Sequence, residues 1–284
     1  MILIADSGST KTNWALIANE NFSYFDTEGY NPYYMDSNYI RNSVLTGFDD
    51  LAVRRQVKQV YFYCAGFSSA TRPIVESALG FCFENAEITI EGDLLAAARC
   101  LLGKEKGFAA ILGTGTNTCF YDGERIVEIV DSLGFLAGDE GSGSYIGKQL
   151  IKAYVRKSMP IHLYLLFEQT FKMNSDQVIA ELYGTSSPNK FAAGFTTFAG
   201  QNIDDDFVKA LVKSSLRDFF SGIIVHYKNY HGSSISFVGS VAFAFLPMLA
   251  TVTEDFGMRL GKVIKSPLAD LIAYHLADRP KALS

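Results

Sequence analysis

The chain has 284 residues, is 48% hydrophobic and 19% charged, and carries a formal net charge of -5 at neutral pH. That balance is enough to bury one large core or two medium ones, and the lack of a long basic block speaks against nucleic acid as the main partner. The four cysteines (Cys64, Cys82, Cys100, Cys119) form no C-x-x-C pair, which speaks against a disulfide framework or zinc site and suits a reduced, cytoplasmic chain.

The first five residues are apolar, but Asp6 follows at once and no basic segment precedes them, so a signal peptide is not expected. Residues 2–6 read as a strand, 13–18 as a second and 21–26 as a third, the first two joined by a Gly/Ser/Thr turn. Apolar residues at Ile40, Val44, Leu45, Phe48 and Leu51 have helical spacing and predict one helix within 36–55. A strand over 57–66 leads to a helix from about Arg72-Pro73. A strand over 86–93 leads to a helix over 93–103 that stops at a glycine. A second three-strand meander then follows within 106–130, again turning early on glycine and threonine, as a structural rather than a sequence repeat. From Gly141 to about Tyr230 the chain reads as mostly helical. It closes with a strand (234–239), a helix, a strand (261–265) and a last helix announced by Ser266-Pro267. The apolar run "VAFAFLPMLA" (241–250) is too short to span a bilayer. Two domains are expected, 1–104 and 105–284, with the final helix, about 267–280, a candidate to pack back on the first.

Five short segments carry candidate chemistry. "DSGSTKT" (6–12) ends like a Walker A loop, but a single glycine lies three residues before Lys11 and a strand is expected next. The Walker spacing and context both fail. A hairpin turn with converging N–H groups can still hold phosphate, with Ser9, Thr10 and Thr12 as hydroxyl donors, Lys11 as charge and Asp6 beside Mg2+ through water. The competing reading is a plain turn, since these residue types are turn formers. "LGTGTN" (112–117) repeats the pattern, and the pairing of two such hairpins is the more telling feature. In "EGDLLAAA" (91–98), Asp93 at a strand-to-helix junction is either an N-cap or a general base. In "AGDEGSGSYIG" (137–147), two acids before a helix suit its dipole, while three glycines in six residues suggest close approach to a ligand. In "FVGSVAFAF" (237–245), Gly239 makes a tight strand–helix turn or backs onto a nucleoside.

Taken in order, these motifs resemble the sugar-kinase, Hsp70 and actin superfamily, and within it the N-acetylglucosamine kinase branch classed with the BadF/BadG/BcrA/BcrD-type ATPases. The resemblance implies an α/β fold of two ribonuclease-H-like (actin-like ATPase) domains with an interdomain cleft. It implies that Ser9, Thr10 and Lys11 meet ATP phosphates, that Thr114 and Gly115 line the phosphate side, and that Gly239 lies near adenosine. It implies Asp6 near Mg2+, Asn31, Asn117 and Asp139 on the sugar, and Asp93 as the catalytic base. One departure stands out: relatives that handle N-acetylglucosamine commonly carry Gly-Gly-Trp-Gly before "GDEGS", whereas this chain has Leu133 where the tryptophan would fall.

The expected function is therefore ATP- and Mg2+-dependent phosphorylation of an amino sugar in the cytoplasm. A small-molecule sugar is the expected partner, a homodimer is left open, and neither nucleic acid nor membrane is expected. Two alternatives are an ATPase activator of the acyl-CoA dehydratase type, with a cysteine-held iron–sulfur cluster, and a non-catalytic sugar- or nucleotide-binding regulator. The histidines show no ligand spacing.

Overall fold

The computed structural model describes residues 1–8, 11–19 and 21–277. The chain divides into two compact units: Met1–Lys104 together with the segment from Ser266 onward, and Glu105–Lys265.

The first unit opens with three antiparallel strands, β1 (Ile2–Ser7), β2 (Lys11–Ala18) and β3 (Asn21–Glu28). Helices α1 (Ser37–Gly47) and α2 (Leu51–Arg54) follow, then β4 (Gln59–Cys64), α3 (Arg72–Cys82), β5 (Glu87–Gly92) and α4 (Asp93–Leu102). The sheet order is β3-β2-β1-β4-β5, with β1, β4 and β5 parallel. Because β1 is central, it is apolar on both faces, as a strand covered by helices on each side must be. Leu3 and Ala5 join the core shared with Ile40 and Val44 of α1 and Val75 and Leu79 of α3. Trp14 locks the outer strands: it is fully buried, stacks on Phe25 at 5.6 Å and donates its indole N–H to the Thr27 hydroxyl at 2.9 Å.

The second unit repeats the plan with β6 (Gly107–Leu112), β7 (Thr116–Tyr121) and β8 (Ile126–Glu128). Its helical section comprises α5 (Gly134–Ala137), α6 (Gly143–Val155), α7 (Ile161–Phe171), α8 (Ser175–Gly184), α9 (Pro188–Gly194), α10 (Thr196–Gln201) and α11 (Asp206–Gly222). Then come β9 (Ser234–Val238), α12 (Ser240–Ala244), α13 (Leu246–Asp255) and β10 (Arg259–Ile264). The sheet order β10-β9-β6-β7-β8 reproduces the first unit's topology, with β6 and β7 antiparallel and β6, β9 and β10 parallel. Its core is aromatic-rich, built on Phe167, Phe195, Phe198, Phe219 and Phe237. The last helix, α14 (Leu268–Ala277), packs on α4 and on β1 and β2 in the first unit.

One expected element differs. The helix read across 36–55 is broken at residues 48–50, because Asp50 caps a new turn by accepting the Val53 N–H at 3.0 Å. A side chain that hydrogen-bonds its own backbone in this way competes with the helix ladder, and apolar spacing alone does not reveal it. All four cysteines are buried. Burial pushes the Cys64 and Cys119 thiols up to about 12 and Cys82 up to about 11. Among the described residues, no helix is long and apolar enough to cross a membrane.

Candidate active site

In the first unit, Ser7, Cys64 and Gly92 form one row across β1, β4 and β5 and mark the carboxyl edge of the parallel strands. Asp6 lies one residue before that row and Asp93 one residue after it. Open α/β sheets gather ligands at this edge. Burial, reinforced by the negative charge of Asp93, pushes the Asp6 carboxyl from its ordinary 3.8 up to about 7. Burial also raises Asp93 to about 6, although the Leu94 and Asp93 N–H groups partly offset the shift. Asp93 is not an N-cap: Gly92 holds that position, and Asp93 opens the first turn of α4. Asn31 reaches the same edge. Its Oδ1 accepts the Tyr33 N–H at 3.0 Å and lies 2.5 Å from where a Cβ on Gly66 would stand, just past β4.

The hydroxyls expected to face a phosphate divide differently. Ser9 and Thr10 lie outside the described residues. Thr12 is fully buried, and its hydroxyl proton goes to the Glu28 carbonyl at 2.8 Å, with the Ser7 hydroxyl 2.7 Å away. Thr12 is therefore a structural residue and not a ligand donor. Ser7, which the motif reading passed over, is the local hub: its Oγ also accepts the Tyr30 N–H at 3.1 Å. The Lys11 ammonium pairs with Asp26 at 3.2 Å, and both partners are exposed. Such a pair contributes only about 0–1 kcal/mol, so it would not hold Lys11 against a phosphate. Most importantly for the loop, residues 11–18 form strand β2. A strand therefore stands where a Walker loop would lead into a helix, and the Walker context is absent.

In the second unit, the turn from Gly113 to Thr116 is laced to the start of α6. The Gly113 carbonyl accepts the Gly143 N–H at 2.8 Å and the Thr114 carbonyl accepts the Ser144 N–H at 3.0 Å. The turn carbonyls thus satisfy the open N–H groups of the helix end. Among the described residues, the N–H groups of Thr114 and Gly115 themselves have no protein acceptor. Adjacent unpaired N–H groups in a glycine turn make an anion cradle. Close approach explains Gly143, whose Cβ would stand 3.2 Å from the Gly113 oxygen. That glycine serves contact within the protein, not contact with a ligand as the sequence suggested.

Asp139 braces the same turn. It is buried, adopts a left-handed backbone (φ 59°) and accepts the Thr116 N–H at 3.0 Å. Its two carboxylate oxygens lie 3.1 and 3.2 Å from the Cβ position of Gly115. Burial raises its carboxyl above the ordinary value, against the pull of the Thr116 N–H and the Lys148 charge. Asp139→Ala is expected to lower the unfolding free energy by about 1–3 kcal/mol, because it orphans a buried N–H. Asp139→Asn, which keeps an acceptor and tolerates the left-handed backbone, should lose less than half of that, as urea denaturation would show. Asn117 begins one residue into β7 and uses its Oδ1 on the Thr118 N–H at 3.0 Å. Gly239 follows β9 at the same strand edge, against Leu112.

Each unit therefore collects its groups at the carboxyl edge of its central strands: Asp6, Asn31 and Asp93 in the first, and Thr114, Gly115, Asn117, Asp139 and Gly239 in the second. A scan against protein-family models and a search of curated proteins give no match. Among solved structures, the chain is 38% identical to a Porphyromonas gingivalis protein provisionally named an N-acetylglucosamine kinase, over 98% of this chain and 99% of that one, with a TM-score of 0.92. A Chromobacterium violaceum protein with the same provisional name is 16% identical over 96% and 98%, at a TM-score of 0.69. A ROK family glucokinase from Streptomyces griseus, solved with glucose and AMPPNP, is 13% identical over 96% and 97%, at 0.54.

Two ribonuclease-H-like units of identical strand order define the actin-like ATPase class of fold. Within that class, the chain belongs to the N-acetylglucosamine kinase-like family of sugar kinases.

Proposed function

We propose that the protein transfers the γ-phosphoryl group of ATP to a hydroxyl of an amino sugar, N-acetylglucosamine or a related hexosamine, in the cytoplasm. The observation that carries this reading is the environment of Asp93. Burial holds its carboxyl at about 6, so it is ionised at neutral pH yet more basic than an ordinary aspartate. A general base works best when its pKa lies near the operating pH. From the first turn of α4, Asp93 accepts the proton of the attacking hydroxyl as that oxygen bonds to phosphorus. Asn31 orients the sugar from the neighbouring loop.

The Thr114 and Gly115 N–H groups, with Ser9, Thr10 and Lys11, would cradle phosphate oxygens, and Gly239 would border the adenosine. Asn117 and Asp139 would contact the sugar side. Positioned donors of this kind stabilise charge spread over the transferred group. Among the described residues, no three acid, histidine or cysteine side chains form a metal cage. The donor set instead fits a hydrated Mg2+ held mainly by ATP, with Asp6 on its water shell. Such an ion would neutralise phosphate charge and favour the ionised form of Asp6.

The buried, weakly acidic thiols do not favour the iron–sulfur activator alternative, since the thiolate is the metal ligand. A coupled ADP-release screen over hexoses, hexosamines and their N-acetyl forms tests the proposal. Turnover strongest with a hexosamine or its N-acetyl form is expected. ATP binding without sugar-dependent turnover would point to the regulator instead, and turnover confined to neutral hexoses would overturn the amino-sugar assignment. Leu133, 69% exposed at a left-handed position, stands where relatives that handle N-acetylglucosamine commonly carry tryptophan.

A further inference from the structure

Outside these groups, the second unit carries a groove between α6 and α11, with a volume of about 540 Å³. That is within the range of small-molecule sites, roughly 300–1,000 Å³. Its lining combines apolar Ala153, Phe207 and Leu211 with polar Gln149 and Ser214. Lys152 and Arg156 lie one helical turn apart on its α6 side. Among the described residues, neither has a carboxylate partner within 4 Å.

Cations at a helix carboxyl end often do no more than complement the dipole. Here they line a concavity. The one carboxylate in it, Asp218, already accepts the Tyr145 hydroxyl at 2.9 Å. The groove is thus net positive in a chain whose net charge is -5. Two unpaired cations one turn apart can share the oxygens of one dianion, while the hydroxyl and amide groups of the lining suit a polyol and its apolar side chains suit a carbon skeleton.

We propose that this groove is a binding site for a phosphate monoester of a small polyol, separate from the groups assigned to phosphoryl transfer. The proposal does not rest on the kinase reading, because the groove is built wholly within the second unit. It is tested by calorimetric titration of the full chain with glucose 6-phosphate and glycerol 3-phosphate. Inorganic phosphate is titrated in parallel, and ADP is kept saturating throughout so that any nucleotide site is filled. The expected result is binding of at least one ester, at least tenfold tighter than inorganic phosphate, and weakened about tenfold or more in Lys152→Ala/Arg156→Ala. Both substituted side chains are exposed, so the variant is expected to fold, and circular dichroism verifies this. A more conservative Lys152→Gln/Arg156→Gln pair should show the same loss. Unchanged ester affinity in both folded variants would overturn the site, as would no binding of either ester to the unaltered chain. Equal affinity for ester and inorganic phosphate would overturn the ligand class.

Discussion

Asp93→Asn is expected to lower kcat by about 10²–10⁴-fold, and at the same time to make the protein more resistant to unfolding at neutral and alkaline pH. Both effects come from one cause. The carboxyl sits largely buried at the strand edge, so its proton is held up to about pH 6 rather than the ordinary 3.8. In the unfolded chain the proton leaves near 4. Between about pH 4 and 6 the folded state therefore binds more protons than the unfolded state, and stability falls as pH rises through that interval. Asp6, held at about 7 by burial and by Asp93, extends the same loss to about pH 7. Asparagine removes the first penalty and relieves Asp6 of a like charge. It also gives up a favourable helix-end charge worth about 0.3–1 kcal/mol. The net gain should be on the order of 1–2 kcal/mol at pH 8, vanishing near pH 4, where both forms are neutral. Urea denaturation across pH 4–8 measures it, and a variant less stable than the parent at pH 8 would contradict the assigned environment. In the unaltered protein, kcat/KM should fall as pH drops through about 6, where the base takes up its proton.

How far these residues were visible in the sequence depends on what kind of signal each carries. The strands were legible because buried central strands such as β1 and β6 are short apolar runs bounded by turn residues. Asp93 was legible as a residue at a strand-to-helix junction. The raised carboxyl that suits it to the proposed base role was not, because that comes from its burial in the folded chain. The hydroxyl cluster misled in one respect: Thr12 has the right chemistry for a phosphate donor, but its strand position turns it into the sheet, where Ser7 and Glu28 occupy it. The glycines of "GDEGSG" were read as places where a ligand comes close. What approaches Gly143 is the Gly113 carbonyl, a contact between segments 30 residues apart that no local pattern encodes. The left-handed backbone of Leu133 and Asp139 was equally hidden, since such conformations in non-glycine residues are imposed by their surroundings.

Gly239→Ala is expected to be among the most damaging small substitutions in the second unit, costing about 3–5 kcal/mol of stability and weakening nucleotide binding by at least tenfold in the fraction that folds. Gly239 has φ 135° and ψ 159°, a region open in practice only to glycine. An added Cβ would stand 2.2 Å from the Leu112 oxygen and 2.6 Å from its carbonyl carbon. Both are backbone atoms, so no side chain can swing away. Gly239 itself is pinned: its N–H donates to the Ile264 carbonyl at 3.0 Å, and its own carbonyl accepts the Phe243 N–H at 3.1 Å. Relief must therefore come from Leu112 and Gly113, the residues that lead into the Thr114–Gly115 cradle. This links stability to binding, since the movement that accommodates a methyl group displaces the N–H groups proposed to hold phosphate. Gly113→Ala supplies the contrast, because a Cβ there meets nothing within 4 Å and should cost less than about 1 kcal/mol. Thermal unfolding and calorimetric titration with AMPPNP measure the two effects. Unaltered nucleotide affinity in a folded Gly239→Ala protein would show that the cradle does not depend on this contact.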